Sequence, residues 1–182
     1  MRYTTGRTVK RGVMLALVGI LGLCVVAEAQ ILSYAVKFVC GTRGSDAQVV
    51  SGIYATTVNI HNPQPEAVKF RKKAVISLPQ RQDPGPIAQF VDEELRSDGA
   101  LGMDCRDIRG LFPAALPGFI EGFVVIHVAL PQIGGETLDV VGVYTARHRT
   151  GDGDPSTFDV ETIDVEEVRP KRIPGAGDGG GN

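Results

Sequence analysis

Three histidines, two distal cysteines and one Gly-Asp-Gly-Asp segment are the side chains of this 182-residue chain best suited to chemistry. Zinc takes His and Cys ligands from short, regular spacings, but His61, His127 and His148 fall on three different predicted strands and form no HxH or HxxxH pair. His61 and His148 sit at strand ends, where an exposed imidazole is ordinary. His127 lies inside an apolar run and reads as a core histidine held by a hydrogen bond. Nucleophilic catalysis needs an activated Ser or Cys with a base in reach and an oxyanion hole, and no GxSxG is present. Cys105, next to a predicted helix start, is the sole candidate nucleophile. Pairing it in a disulfide removes it from consideration. Asp152 and Asp154, in Gly151-Asp152-Gly153-Asp154-Pro155, are weak candidates for a hard cation such as calcium. They lack the ligand spacing and distal Glu of an EF-hand, and a tight turn explains the same residues.

Lys69, Arg71, Lys72 and Lys73 make the densest charge cluster. On a strand, Lys69, Arg71 and Lys73 project to one side, a candidate binding surface for an acidic polymer, an anionic lipid surface or a negative partner patch. The alternative is a solubilising face that guards an edge strand. Asp92-Glu93-Glu94 and the group Asp164, Glu166 and Glu167 read as solvated faces.

The address of the protein comes from its first 29 residues. Arg2, Arg7, Lys10 and Arg11 precede an apolar stretch from Gly12 to Val26, and Ala27-Glu28-Ala29 offers small residues for cleavage before Gln30. The apolar run, at about fifteen residues, is short of the roughly 20 that span a bilayer. Residues 1–29 therefore read as a cleaved signal peptide, with no membrane span afterwards and a secreted or periplasmic destination. Removing them takes Arg2, Arg7, Lys10, Arg11 and Glu28 from 19 basic and 21 acidic residues, leaving 15 and 20. A net charge of −5 argues against a nucleic-acid partner. Of three cysteines, Cys24 goes with the leader. The remaining pair, Cys40 and Cys105, reads as a disulfide in an oxidising compartment, with two buried free thiols as the alternative.

Positioning all these residues falls to short segments rich in Val, Ile, Thr, Phe and Tyr, punctuated by Gly and Pro. Alternation predicts strands over 34–40, 54–61 and 68–78, and Asn62-Pro63 reads as a turn. A strand around 89–95 and a short helix over 104–111, N-capped by Asp104, follow. The apolar run 119–130 predicts a central strand buried on both sides. Strands over 138–147 and 158–168 come next, the latter bulged near Thr162. Residues 30–169 read as one domain and 170–182 as a mobile Gly-rich tail. With no βαβ alternation, the fold class is all-β: an antiparallel β-sandwich of Ig-like proportions with one short helix. A small barrel is the alternative.

The strings VKFVCG, GIYATTVNIHNP, VVGVYTA and FDVETIDVEEV resemble those of a widespread family of small exported bacterial proteins whose activity is not established. These are strand and turn strings, spanning most of the mature domain. Some members carry extra cysteines after the Cys-Gly pair, where this chain has a cysteine-free stretch from Thr42 to Val50. The resemblance therefore transfers no site residues and implies no cofactor. The sequence points to a non-enzymatic exported module that binds or assembles with an envelope or extracellular protein or polymer, or with a second copy of itself. A metal-assisted hydrolase and a small-ligand carrier are the alternatives.

Overall fold

The computed structural model describes residues 30–44, 51–79, 82–130, 138–149 and 158–174, with backbone alone over 148–149 and 158–163. The leader expected at 1–29 and the Asp152 and Asp154 cation candidates lie outside the described residues. Strands β1 (Gln30–Arg43), β2 (Gly52–His61), β3 (Val68–Ile76), β4 (Val91–Leu95) and β5 (Ala100–Met103) precede one helix, α1 (Cys105–Gly110). After it come β6 (Phe119–Ala129), β7 (Asp139–Arg149), β8 (Phe158–Glu167) and β9 (Lys171–Pro174). Every strand pairing is antiparallel.

The strand order β4-β3-β6-β1-β2-β7-β8 folds over at the β1/β2 junction. β1 pairs with β6 from Ile31 to Gly41, but with β2 only at Gly41, Thr42 and Arg43. One layer is thus β4-β3-β6-β1, and the other is β2-β7-β8 with β5 at the far end of β2. Alternation puts Leu32, Tyr34, Val36, Phe38 and Cys40 of β1 on the inner face, opposite Val58 and Ile60 of β2 and Val140 of β7. Tyr34, fully buried, spans the layers and donates its hydroxyl to the Leu138 carbonyl at 3.0 Å. This is the antiparallel β-sandwich expected from the sequence, with one short helix.

Two glycines set the close approaches. Gly41 takes φ +105°, and a Cβ there would lie 1.8 Å from the Gly118 carbonyl oxygen, so the layer-changing corner requires glycine. Gly142 lets β7 approach β1, since a Cβ would meet Val36 Cγ1 at 2.9 Å. The Arg109 guanidinium ties the same corner from α1, donating to the Pro117 carbonyl at 2.8 Å and the Gly118 carbonyl at 2.9 Å. α1 itself starts at Asp104, whose carboxylate accepts from the Arg106 and Asp107 amides while Asp107 returns the bond to the Asp104 amide. Cys40 and Cys105 are bonded, fastening α1 to β1.

Several expectations change. β6 is central but alternates between buried Ile120, Val124, Ile126 and Val128 and a partly exposed opposite face, where among the described residues Phe90 covers His127 while Phe123 and Ala129 stay exposed. His127 belongs to this outer face, so it is no core histidine. β5, four residues long, lacks the length to show a periodicity. The chain also continues in register past the boundary expected at 169: Lys171–Pro174 pairs with Ser33–Gln30, so that part of the expected tail is sheet. The bulge near Thr162 is present, with Tyr144 opposite Asp164 and Thr145 opposite Thr162. No helix among the described residues is long and apolar enough to cross a membrane.

Candidate functional site

The outer face of the β3-β6-β1 layer gathers most of the chemistry. Register places Arg71 of β3 beside His127 of β6, and His127 beside Ser33 of β1. One step along, Lys73, Val125 and Ala35 form the next row, followed by Val75, Phe123 and Lys37. Because successive side chains alternate, Lys69, Arg71 and Lys73 do share this face. Lys72 turns to the opposite side, where it is only 7% exposed and paired with Glu93.

β4 supplies the counter-charges in antiparallel order, with Glu94 opposite Lys69, Glu93 opposite Phe70 and Asp92 opposite Arg71. Lys69 Nζ lies 3.7 Å from Glu94. Arg71 and Lys73 have no carboxylate within 4.0 Å among the described residues, and both rest on Phe90, the residue before β4. The Arg71 guanidinium is 4.5 Å and Lys73 Nζ 4.4 Å from that ring's centre. The His127 ring is the third group on Phe90, at 4.9 Å. Such contacts contribute roughly 0.5–1 kcal/mol each at exposed sites, a bias of both side chains toward the ring that offsets part of the about 1.5–2 kcal/mol of rotamer entropy each would lose on ordering.

Burial pushes the His127 pKa down, and the positive charges of Arg71 and Lys73 push it the same way, so the imidazole is neutral at pH 7. Its Nδ1 is buried without a hydrogen-bond partner among the described residues. Alongside lies a cleft of about 640 Å³ with Ile31, His127 and Ala129 as its floor and Lys69, Arg71, Asp92 and Glu94 along its walls. Among the described residues Ser33 and His127 share no hydrogen bond and no carboxylate bonds the His127 ring. What the face offers is two cations on one ring, that aromatic ring and a neutral imidazole.

His61 occupies a different place, at the end of β2. Its Nδ1 is 3.0 Å from Asp139 and its Nε2 is 3.1 Å from Asp98, a residue held at φ 55°. The bond to Asp139 first, and that to Asp98 next, raise the His61 pKa. Both ring nitrogens are engaged, so it clasps the β4/β5 turn to the start of β7. Next to it Asn62, fully buried, donates Nδ2 to the Glu66, Leu95 and Arg96 carbonyls and accepts the Gln64 amide on Oδ1. The turn expected at Asn62-Pro63 is thus knotted to the β4/β5 turn. Among the described residues no group of three or more His, Cys, Asp or Glu is arranged to hold a metal ion.

No family model matches the chain, and no curated protein matches it. Among solved structures one likeness is distant. It is the crystal structure of Thermotoga maritima 1070, 10% identical in sequence, with 78% of this chain and 94% of that chain covered and a TM-score of 0.38. Likeness at that level bears on neither fold nor activity, and the reading of the site rests on its own geometry.

Sequence reasoning put Lys69, Arg71 and Lys73 on one strand face, as the register has them, but passed over Phe90 and misplaced His127. One signal was available: KFRKK at 69–73 and DEE at 92–94 are charge-complementary when read antiparallel. Nothing in the sequence marks Phe90 as the residue that follows the two cations across the strand pair.

Proposed function

We propose that the mature chain is an exported, non-enzymatic β-sandwich that binds or assembles with a negatively charged envelope or extracellular component. The contact is the outer face carrying Arg71, Lys73 and Phe90. One observation carries this reading. β4 neutralises Lys69 and Lys72 but leaves Arg71 and Lys73 without ion pairs among the described residues, both resting on a single aromatic ring beside partly exposed apolar side chains. Biasing the two cations toward one ring lowers the side-chain entropy lost on binding. Phe123, 39% exposed on the same face, adds apolar area that a partner would cover. The cysteine bond and the leader-like first 29 residues support export, as does the resemblance of the strand strings to exported bacterial proteins.

The test compares retention of the purified domain on envelope fractions at low and high salt for wild type, Arg71→Glu/Lys73→Glu and Lys69→Glu. Wild type is expected to be retained at low salt and released at high salt. The double variant is expected to lose retention, and Lys69→Glu to keep most of it. Equal behaviour of the two variants would remove the proposed face from consideration.

A further inference from the structure

A second cleft, of about 550 Å³, opens at the other end of the β1/β6 ladder, between the segments 76–79 and 86–87 on one side and 112–117 on the other. Its wall is Leu78, Ile87, Leu116 and Phe119, and it reaches down to Ile76, Phe112 and Ile120, which belong to the hydrophobic core. Leu78 and Ile87 stand 44% and 59% exposed at the rim. Folding ordinarily hides such side chains, and a core left open to a cleft of ligand size is the usual form of a small-molecule site.

The polar groups of the cleft single out one residue. The Ser77 amide donates to the Glu121 carbonyl at 2.8 Å, and the Glu121 carboxylate is paired with Lys37 at 2.8 Å. Arg43 has no carboxylate within 4.0 Å among the described residues. Its Nε is buried without an acceptor among the described residues, and its guanidinium lies 4.8 Å from the Phe119 ring centre. A buried donor with nothing to bond is costly. An apolar ligand would bury this guanidinium further without giving it an acceptor, and a cationic ligand would be repelled. A polyanion would find one cation, not several, with the Glu121 carboxylate nearby. A single carboxylate can pair with the guanidinium where it lines the cleft, through charge-assisted hydrogen bonds to its terminal nitrogens.

We propose that this cleft binds a single-chain amphiphile with a carboxylate head, the tail lying among Leu78, Ile87, Leu116 and Phe119 and the head on Arg43. The site is independent of the Phe90 face and stands whether or not that face binds a partner.

Titration calorimetry of the domain with laurate and dodecylamine below their micelle concentrations, and with dodecanol below its aqueous solubility, tests it. Laurate is expected to bind saturably at one site, dodecanol more weakly, and dodecylamine not at all. Arg43→Gln is expected to weaken laurate about tenfold, the size of a lost charge-assisted hydrogen bond, and to leave dodecanol unchanged. Ala115→Trp, made at an exposed lining residue so that folding is spared, is expected to fill the cleft and weaken laurate and dodecanol together. Thermal melting confirms that each variant is folded. Laurate binding no tighter than dodecanol, or indifferent to Arg43→Gln, overturns the head-group assignment. Binding that survives Ala115→Trp overturns the cleft, and absence of saturable laurate binding overturns the proposal as a whole.

Discussion

The hydroxyl of Thr56 on β2 serves both backbone groups of Val39 on β1, accepting from the amide at 2.9 Å and donating to the carbonyl at 3.0 Å. Val39 lies between the stretch of β1 that β9 covers, Gln30 to Ser33, and the stretch that β2 covers, Gly41 to Arg43. A side chain there does the work of a missing strand at the place where the sheet turns over. Thr56 is 1% exposed and Val39 half-buried, so the bridge is largely shielded from water.

Thr56→Val keeps the shape and removes the hydroxyl. Leaving a buried donor and acceptor unpaired is expected to cost about 1–3 kcal/mol, read as a lower urea midpoint with an unchanged slope. Thr56→Ser keeps the hydroxyl and is expected to lose less. Hydrogen exchange at the Val39 amide should quicken in the valine variant alone. A valine variant as stable as wild type would show that the Thr56 bridge contributes nothing.

The Cys40–Cys105 bond closes a separation of 65 residues directly above this bridge, and Cys105 Sγ accepts the Thr56 amide at 3.3 Å. Reduction releases α1 from β1 and restores the loop's freedom in the unfolded chain. The expected loss is about 2–5 kcal/mol, seen as a lower midpoint in dithiothreitol. Cys105→Ala should lower it comparably and become insensitive to the reductant. A midpoint unmoved by reduction would mean that the bond is unformed or energetically idle.

How far the sequence went depended on whether a feature was periodic or relational. Alternation along 34–40 and 54–61 gave strands and inner faces directly, and Asp104 announced α1 because a cap is a local signal. β5 escaped because four residues show no period. His127 was read inward because its neighbours are apolar. Parity puts it with Glu121, Phe123 and Val125 on the open side, which counting from Ile126 and Val128 would have shown. The cluster on Phe90 was invisible for a different reason: it depends on which strands pair, and β3 finds β6 and β4 only in three dimensions.

The two described imidazoles should respond to pH with opposite signs. His61 has its pKa raised by Asp139 and Asp98, so its stabilisation is fully present below the ordinary value of 6.5 and lost as pH rises through the higher folded value. His127 has its pKa lowered by burial and by Arg71 and Lys73, so the stability tied to its neutral form is present above 6.5 and lost as pH falls through the lower folded value. His61→Gln is therefore expected to flatten the stability profile above pH 6.5, and His127→Gln to flatten it below. Denaturation midpoints across that range provide the check, and a change of the same sign in both variants would contradict both assignments.

Lys72 points the wrong way for a lysine, into the sandwich between Phe70 and Ala74, where Glu93 receives it. An inward charge on β3, one strand from the edge, penalises any register that would bring another strand there without a matching carboxylate. The two partners should not be equivalent under mutation. Glu93→Gln leaves a lysine facing the core unpaired. It is expected to cost about 1–2 kcal/mol, below the 3–5 kcal/mol of a fully buried pair, because the Glu93 side chain is 34% exposed. Lys72→Met removes the buried charge, fills similar volume with apolar atoms and leaves a carboxylate that can turn to water. That variant is expected to match or exceed wild-type stability. Urea midpoints of the two single variants and the double variant give the coupling between them. A Lys72→Met variant less stable than Glu93→Gln would show that the pair holds β4 in place by more than charge.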